Sequence, residues 1–240
     1  MRTTRETKVP DTARASGPRA ATLPPTMHQT SFDLFGSSLS DINLLPCDGI
    51  VNDHGCVLDP AVADGLYDLL LRTLPWRPDV AVVNGAVTQT ARCALWYGDR
   101  PFRYLHSGVP RQAQPWPGDL LADARRLAEE RTGARFNSCV LNLYHDGSEG
   151  MGWHSDSEAA YGTHTAIASL SLGAARKFAF MHKRTRARRD MLLQHGQLIV
   201  MRGETQRHWL HAIAKTATVS TPRISLTFRF FDDRAAPAKA

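Results

Sequence analysis

Apolar side chains recur at helical spacing in two segments of the first half of the chain. After Asp59-Pro60, an N-cap residue followed by proline at the first helical position, apolar residues lie three and four positions apart as far as residue 74. A second amphipathic stretch covers residues 117–131, and Gly133 is placed to end it. The sequence therefore predicts two helices, the first of which ends before Pro75.

The apolar pattern elsewhere is typical of strands. Residues 80–87 form two β-rich runs around Asn84-Gly85, a dipeptide that favours a tight hairpin turn. From residue 136 onward, short apolar runs are separated by glycines, as in a sandwich or barrel. The predicted strands of this half cover residues 138–144, 166–172, 177–181, 191–194, 197–201 and 224–230.

These elements predict an α+β protein in which N-terminal helices pack against a β-rich C-terminal half. Residues 1–30 lack apolar periodicity and are expected to form a disordered basic tail. Residues 31–135 would form a helical and hairpin region, and residues 136–232 the catalytic core, together one domain over 31–232. Residues 233–240 are expected to be disordered.

Composition changes this picture only modestly. Of 240 residues, Lys+Arg number 29 and Asp+Glu 23, a net charge of +6 that suits a polyanionic partner, although many basic proteins bind no nucleic acid. The four cysteines are widely spaced without a C-x-x-C pair, which favours a reduced, cytoplasmic compartment. We expect no membrane segment, because no apolar run approaches about 20 residues, and no secretory signal at the charged N-terminus.

A candidate metal site lies near His154 and Asp156. Their spacing places both side chains on one side of an extended segment, and a later cluster supplies His208 and His211. Two imidazoles and one carboxylate can bind one face of Fe(II) and leave the opposite positions open for O2 and a co-substrate. An H-x-D triple alone is weak evidence, because a solvated histidine near an aspartate is common.

The last predicted strand alternates polar and apolar residues, as a half-buried strand does. Its polar face carries Arg223, Ser225, Thr227 and Arg229. Guanidinium groups that point inward need anionic partners, and a dicarboxylate co-substrate would supply two. At about 3.3 Å per residue, the two arginines are about 20 Å apart along the strand, so they would approach such an anion from its two ends.

In their order along the chain, these motifs resemble the AlkB family of Fe(II)- and 2-oxoglutarate-dependent dioxygenases, and within it the branch of mammalian homologues that repair alkylated DNA. The resemblance implies a double-stranded β-helix (jelly-roll) core with N-terminal helices against it. It also implies Fe(II), 2-oxoglutarate and O2 as cofactors, and removal of N-linked methyl groups from bases as formaldehyde. It is carried by Trp96-Tyr97-Gly98-Asp99, Asn142-Leu143-Tyr144, Trp153-His154-Ser155-Asp156-Ser157-Glu158, Thr205-Gln206, Trp209-Leu210-His211 and the strand from Arg223 to Arg229.

The resemblance assigns roles residue by residue. Its iron ligands are His154, Asp156 and His211, and the order of the motif favours His211 over the competing His208. Its 2-oxoglutarate site places Arg229 near the metal-bound end of the co-substrate. Ser225 stands where the family usually has Asn, and we expect its shorter hydroxyl group to loosen that end of the 2-oxoglutarate site. The far carboxylate would be bound by Asn142, Tyr144 and Arg223.

The resemblance further implies that residues 31–135 recognise a nucleotide. An enzyme that acts on a base extrudes it from the stack into a pocket; tyrosines in a β-rich segment are otherwise core residues, and an acid in a loop is otherwise solvated. The Asn84-Gly85 hairpin would act as a wedge in the duplex. The residues placed around the base are Tyr97, Tyr104, His106 and Glu158.

A basic run, which is expected to form a loop between two predicted strands, follows the metal-binding segment at residues 182–189. Such a run could lie along DNA phosphates, although a solvated charge run is the usual explanation. Its five cations are Lys183, Arg184, Arg186, Arg188 and Arg189.

Two other functions stay open on sequence grounds. The chain could be a dioxygenase that acts on RNA or protein side chains, or a non-catalytic nucleic-acid-binding module whose metal site is degenerate or filled by Zn(II). The expected partner is alkylated DNA, with RNA as the alternative, and the expected state is a monomer.

Overall fold

An eight-stranded sheet, a four-stranded sheet and a separate two-stranded ribbon, with helices packed against them, form the protein in the computed structural model. The structure describes residues 39–83, 85–106, 109–156 and 166–232. The described strands are β1 (Ile50–Cys56), β2 (Pro78–Val83), β3 (Ala86–Gly98), β4 (Arg103–His106), β5 (Val109–Gln112), β6 (Gln114–Pro115), β7 (Ser138–Tyr144), β8 (Met151–His154), β9 (Ile167–Gly173), β10 (Arg176–His182), β11 (Arg188–Leu193), β12 (Gln197–Arg202), β13 (Trp209–Ile213) and β14 (Arg223–Arg229). The helices are α1 (Pro60–Thr73), α2 (Ala122–Thr132) and α3 (Thr205–His208), with 3-10 turns at Leu39–Asp41 and Gly118–Leu121.

The large sheet has the strand order β1-β12-β9-β14-β7-β3-β2, and the short β6 pairs with β3. The small sheet has the order β11-β10-β13-β8. Side chains from both sheets, including Ile167, Phe178, Ile199 and Trp209, form one buried cluster between them. This arrangement confirms the predicted α+β class and jelly-roll core.

Both predicted helices form and cover the outer face of the large sheet. Asp59 caps α1 by accepting a hydrogen bond of 2.9 Å from the backbone N–H of Ala61, and the helix ends at Thr73. The second helix starts later than predicted, because residues 118–121 form a 3-10 turn. Gly133 ends it in the left-handed region at φ +65°, where a side chain would be strained.

The last strand, β14, lies at the centre of the large sheet between β9 and β7. All seven of its residues are buried, so the expectation of a half-buried strand is wrong. Its apolar side packs with α1 and α2 in the main core, whereas its polar side lines a small internal cavity between the two sheets. Polar and apolar residues do alternate along β14 as predicted, but its polar face lies inside the protein.

Several strands were missing from the sequence prediction. The edge strand β1 pairs with β12, and the part of β3 beyond the predicted residue 87 pairs with β7. The start of β3 pairs with β2 as the predicted hairpin. Because the region before residue 136 contributes these strands to the large sheet, the two expected regions share one sheet. Residue 84 of the predicted hairpin lies outside the described residues, and Gly85 follows it at φ +80°. Among the helices described, none is long and apolar enough to cross a membrane.

Candidate active site

The small sheet brings two histidines directly opposite each other. His154 at the end of β8 pairs with His211 of β13, and their ring centroids are 4.2 Å apart. Asp156 follows two residues after His154, just beyond the strand. The ligand atoms of these three residues all lie within 4.8 Å of one another, so they can share one metal ion.

The rings of His154 and His211 can each provide a nitrogen lone pair to a metal ion. The Nδ1 atom of His154 lies 2.8 Å from the carbonyl oxygen of Gly152. Because a carbonyl only accepts, the neutral form of this ring carries its proton on Nδ1 and has its lone pair on Nε2. Burial, with a contribution from nearby His154, lowers the pKa of His211 to about 3. His211 is therefore neutral at physiological pH, the form that binds a metal.

Asp156 is held at both its backbone and its side chain. Its N–H donates a hydrogen bond of 2.9 Å to Oε1 of Gln206, which lies on the short helix α3. Its carboxylate Oδ1 accepts one of 2.7 Å from Nη2 of Arg229. Gln206 belonged to a recognised motif, but its spacing gave no sign of this role, because 50 residues separate it from its partner.

The competing histidine lies elsewhere. His208 stacks parallel to His182, with ring centroids 6.1 Å apart, and its Nε2 is 4.0 Å from the carboxylate of Glu204. The cluster around His154 includes His211 and not His208 among the described residues. The geometry therefore agrees with the order of the motif.

A second group of ligand-type atoms is formed by Cys47, Asp48 and His182, again within 4.8 Å. Here Nδ1 of His182 accepts a hydrogen bond of 3.0 Å from the N–H of Thr185. The proton must then lie on Nε2, which donates to Asp48 at 3.2 Å. A protonated nitrogen has no lone pair for a metal, so this group is a structural hydrogen-bond relay.

A small cavity of about 50 Å³ joins the histidine and aspartate cluster to the polar face of β14. Arg223 closes its other end at 2% exposure. Its Nη2 donates to Oγ of Ser171 at 2.9 Å, whereas Nε and Nη1 have no hydrogen-bond partner within the described part of the chain. Burial lowers its pKa to about 10, which leaves it charged at neutral pH. A buried cation with unused donors requires an anion.

The remaining predicted co-substrate residues also line this cavity. Tyr144 lies beneath Arg223, whose guanidinium is 5.5 Å from the ring centroid. Ser225 is buried and pairs across the sheet with Asn142 on one side and Ser171 on the other. Asn142 additionally accepts a short hydrogen bond from Arg92.

A larger cavity of about 620 Å³ opens beside His154 and Asp156, within the size range of ligand sites. Tyr97 and Tyr104 line it, and burial raises the pKa of both phenols. Trp96, which lines it too, meets Tyr104 edge to face at 5.1 Å. The sequence had given Trp96 no role of its own.

The wall of the large cavity contains an ion-pair network that was not predicted. Asp79 is buried and contacts Arg92 and, at 2.6 Å, Arg111. Burial acts to raise the pKa of Asp79, but the two guanidinium groups outweigh it, so the pKa lies below its usual value. Arg92 also donates to Asn142, which links the walls of the two cavities. The sequence could not show this network, because it depends on the register of β2 against β3.

The structure does not describe the side chains of two residues that were predicted to contact the base. Glu158 lies outside the described residues. His106 pairs with Val109 through the backbone of β4 and β5, and its side chain is outside the description. Their assignment stays a prediction.

The basic run forms a turn at residues 183–185. Arg188 and Arg189 begin β11, so the expectation that they lie in a loop is wrong. Lys183 donates from Nζ to the carbonyl of Gln206 at 2.8 Å, which ties the turn to the helix that holds Asp156. All five cations are exposed.

Comparison with known proteins agrees with this geometry. A family model described as the 2OG-Fe(II) oxygenase superfamily matches residues 56–229. A solved oxidoreductase of the 2OG-Fe(II) oxygenase family from Burkholderia pseudomallei has a TM-score of 0.50 at 18% identity, covering 76% of this chain and 85% of that one. The structure of OsALKBH1 has a TM-score of 0.51 at 15% identity, covering 78% and 98%. At such identities these two structures show the fold alone.

Relatives of similar sequence show which family of this superfamily the chain resembles. Alpha-ketoglutarate-dependent dioxygenase alkB homolog 3 of Homo sapiens is 34% identical over 191 residues, which cover 75% of this chain and 66% of that protein. DNA oxidative demethylase ALKBH2 of Homo sapiens is 36% identical over 199 residues, covering 76% and 74%. The chain spans 63% to 66% of the alkB homolog 3 proteins that it matches. It belongs to the 2OG-Fe(II) oxygenase superfamily and, within it, to the AlkB family.

Proposed function

We propose that the chain is an Fe(II)- and 2-oxoglutarate-dependent dioxygenase that demethylates N-alkylated bases of DNA. The observation that carries the proposal is one cavity with a three-ligand cluster at one end and the unused donors of Arg223 at the other. Two neutral imidazoles and a carboxylate fit Fe(II), and a buried guanidinium fits a carboxylate. When bound, Fe(II) and 2-oxoglutarate together supply the activation of O2.

The chain's own residues would hold the reactants in place. His154, Asp156 and His211 bind the metal, and Arg223 binds the far carboxylate of 2-oxoglutarate with Asn142, Tyr144 and Ser225 beside it. Arg229 lies at the metal end of the cavity, where it contacts Asp156. One oxygen atom of O2 would go to 2-oxoglutarate, which would leave as succinate and CO2, and the other would convert the N-methyl group to N-hydroxymethyl, which would leave the base as formaldehyde.

The large cavity would receive the extruded base. Its tyrosines and Trp96 provide flat aromatic surfaces in the same cavity that His154 lines, as base-flipping enzymes require. Relatives in the same family are named DNA oxidative demethylases, which supports a methylated DNA base as the substrate. His106 and Glu158 are proposed to complete this pocket.

We propose that the exposed basic run contacts the DNA backbone, which would give affinity that falls with salt and carries little sequence information. Lys183 would contribute least, because its ammonium group is already hydrogen-bonded to Gln206. Arg184, Arg186, Arg188 and Arg189 would supply most of the phosphate contacts. The protein would act as a monomer.

The test is anaerobic incubation with Fe(II) and 2-oxoglutarate, followed by air and an oligonucleotide that contains N1-methyladenine, with formaldehyde as the readout. We expect His154→Ala and Asp156→Ala to abolish formaldehyde release while the fold is retained. His208→Ala is the matched control, because His208 lies outside the metal cluster, and it should keep near wild-type release. Full release by both folded triad variants would overturn the proposal.

The substrate class is tested by offering the same lesion in single-stranded DNA, duplex DNA and RNA. If only the RNA oligonucleotide releases formaldehyde, the substrate is RNA and not DNA. Decarboxylation of 2-oxoglutarate without any nucleic acid separates an oxygenase from a non-catalytic binding module. A protein that binds methylated DNA but decarboxylates no 2-oxoglutarate would be such a module.

A further inference from the structure

The outer face of the small sheet carries a groove beside an exposed tryptophan. Trp153 lines this groove together with Ala179 and Arg188, whereas the neighbouring His154 lines the two cavities of the candidate active site. Trp153 is 37% exposed. It borders a cavity of about 370 Å³ that none of the proposed metal or co-substrate residues lines.

Small side chains form the floor of this groove. Ala179 of β10 pairs with Ala212 of β13 on one side and with Asp190 of β11 on the other. From β11, Arg188 reaches across this row, and its guanidinium carbon lies 5.0 Å from the centroid of the Trp153 ring. The alanines are small enough for the two long side chains to meet over them.

The rim of the groove is cationic. Lys177, Arg188 and Lys215 line it together with one carboxylate, Asp190, which pairs with Lys177 at 2.5 Å. Arg188 also belongs to the basic run proposed to contact the DNA backbone, so the two surfaces are continuous. An exposed indole flanked by cations is the arrangement that binds an unpaired base and its phosphates.

Met151 connects the groove to the active site. It lines the groove and also the large cavity beside His154. Its strand, β8, is the edge strand of the small sheet. A polynucleotide that leaves the large cavity therefore needs to cross only this one strand to reach Trp153.

We propose that the groove binds a second, unmodified nucleotide of the strand whose methylated base occupies the large cavity. Its base stacks on Trp153, and its phosphates contact Lys215 and Arg188. The inference rests on the proposed action on nucleic acids. A base within a duplex is already stacked and paired, so the groove favours single strands. DNA and RNA share the chemistry that it recognises.

The experiment gives the full chain two oligonucleotides: a fluorescently labelled, unmodified 15-nucleotide single strand of mixed sequence, whose binding is measured, and a trinucleotide with central N1-methyladenine, whose demethylation is measured. Trp153→Leu removes the stacking surface, and Lys215→Gln removes one rim cation. Arg126→Gln is the matched control, because it removes an exposed charge from α2, which packs against the large sheet and does not line the groove. Fluorescence anisotropy is run on DNA and RNA 15-mers of the same sequence over a range of salt.

We expect Trp153→Leu to weaken binding of the 15-mer about ten-fold, the loss of one stacked base. Demethylation of the trinucleotide and 2-oxoglutarate decarboxylation without DNA should stay at wild-type levels, which also shows that the variant is folded. Lys215→Gln should lower the salt dependence by about one phosphate contact. The nucleic acid whose binding is more sensitive to Trp153→Leu is the one that the groove accepts.

Equal binding of the 15-mer by the wild type and Trp153→Leu would overturn the inference, as would an equal loss for Arg126→Gln. Failure of the proposed function gives a different result. If the wild type binds the 15-mer through Trp153 but releases no formaldehyde from any substrate, the groove does bind a nucleotide and the proposed demethylase function is wrong.

Discussion

Arg229 donates a hydrogen bond of 2.7 Å from Nη2 to the Oδ1 atom of Asp156, and both side chains are almost fully buried. The guanidinium therefore neutralises the carboxylate at the position where a divalent ion would do the same. An ion can bind Asp156 through its other oxygen, Oδ2, and would then share the charge of this carboxylate with Arg229. The pair couples metal binding to the end of the co-substrate cavity.

Arg229→Met tests this coupling. In the metal-free protein, loss of one partner of a buried ion pair costs about 3–5 kcal/mol, so its melting temperature should fall. Mn(II), which supplies the missing positive charge, should then raise the melting temperature of the variant more than that of the wild type. Thermal unfolding with and without Mn(II), in the absence of 2-oxoglutarate, measures both effects. Exposed Arg189→Met is the control, and an equal Mn(II) shift in all three proteins would contradict the coupling.

Arg223→Met should raise the 2-oxoglutarate concentration needed for half-maximal decarboxylation far more than the DNA concentration. Hydrogen bonds to a charged group contribute about 1.5–3 kcal/mol, equivalent to roughly a ten- to hundred-fold change. Arg223→Lys keeps the charge without the two-pronged donor and should lie between the wild type and Arg223→Met. The measurement is substrate-free decarboxylation, alongside anisotropy with DNA. An equal rise for 2-oxoglutarate and DNA would contradict the assignment.

The sequence predicted the parts of the fold in which local pattern and tertiary environment agree. The cap at Asp59 and the left-handed Gly133 bound the two helices close to where they were expected. The prediction failed for β1, which is an edge strand whose seven residues include only two buried ones. It also failed for the burial of β14, because a polar face inside a cavity has the same alternation as one exposed to solvent.

The candidate site likewise contains residues that the sequence predicted and residues that it did not. His154 and Asp156 are close in sequence, and the family motif supplied His211 and the strand arginines. Gln206 and the partners of Asp79 could not be predicted, because each contact joins residues on separate elements. Only the register of the sheets and the position of α3 bring them together.

Gln206→Met should weaken metal binding about ten-fold or more, because residues that hold metal ligands typically affect affinity by 10- to 100-fold. The amide oxygen of Gln206 accepts the N–H of Asp156, and a methionine would leave this donor unsatisfied. Titration with Mn(II), followed by thermal shift, gives the affinity. Arg207→Gln on the same helix is the control, since its guanidinium pairs with Glu204 at the surface. Unchanged affinity for Gln206→Met would assign the residue to folding alone.

Asp79→Asn should destabilise the protein in a pH-dependent way. The variant leaves buried Arg92 and partly buried Arg111 without their carboxylate, which costs about 3 kcal/mol near neutral pH. Because the pKa of Asp79 is depressed in the folded state, its contribution is fully present above the unfolded pKa of about 3.9 and is lost as the pH falls through the folded value. Urea unfolding at pH 7, 5, 4 and 3 should show a gap between the wild type and Asp79→Asn that is constant down to about pH 4 and narrows below it.

The control for this prediction is Asp123→Asn, which breaks the exposed pair with Arg126. An exposed pair contributes at most about 1 kcal/mol, so this variant should unfold close to the wild type near neutral pH. A gap for Asp79→Asn that is as small as the control's would mean that the network adds little to stability. A large gap that persists unchanged at pH 3 would show that the loss comes from packing and not from the charge of Asp79.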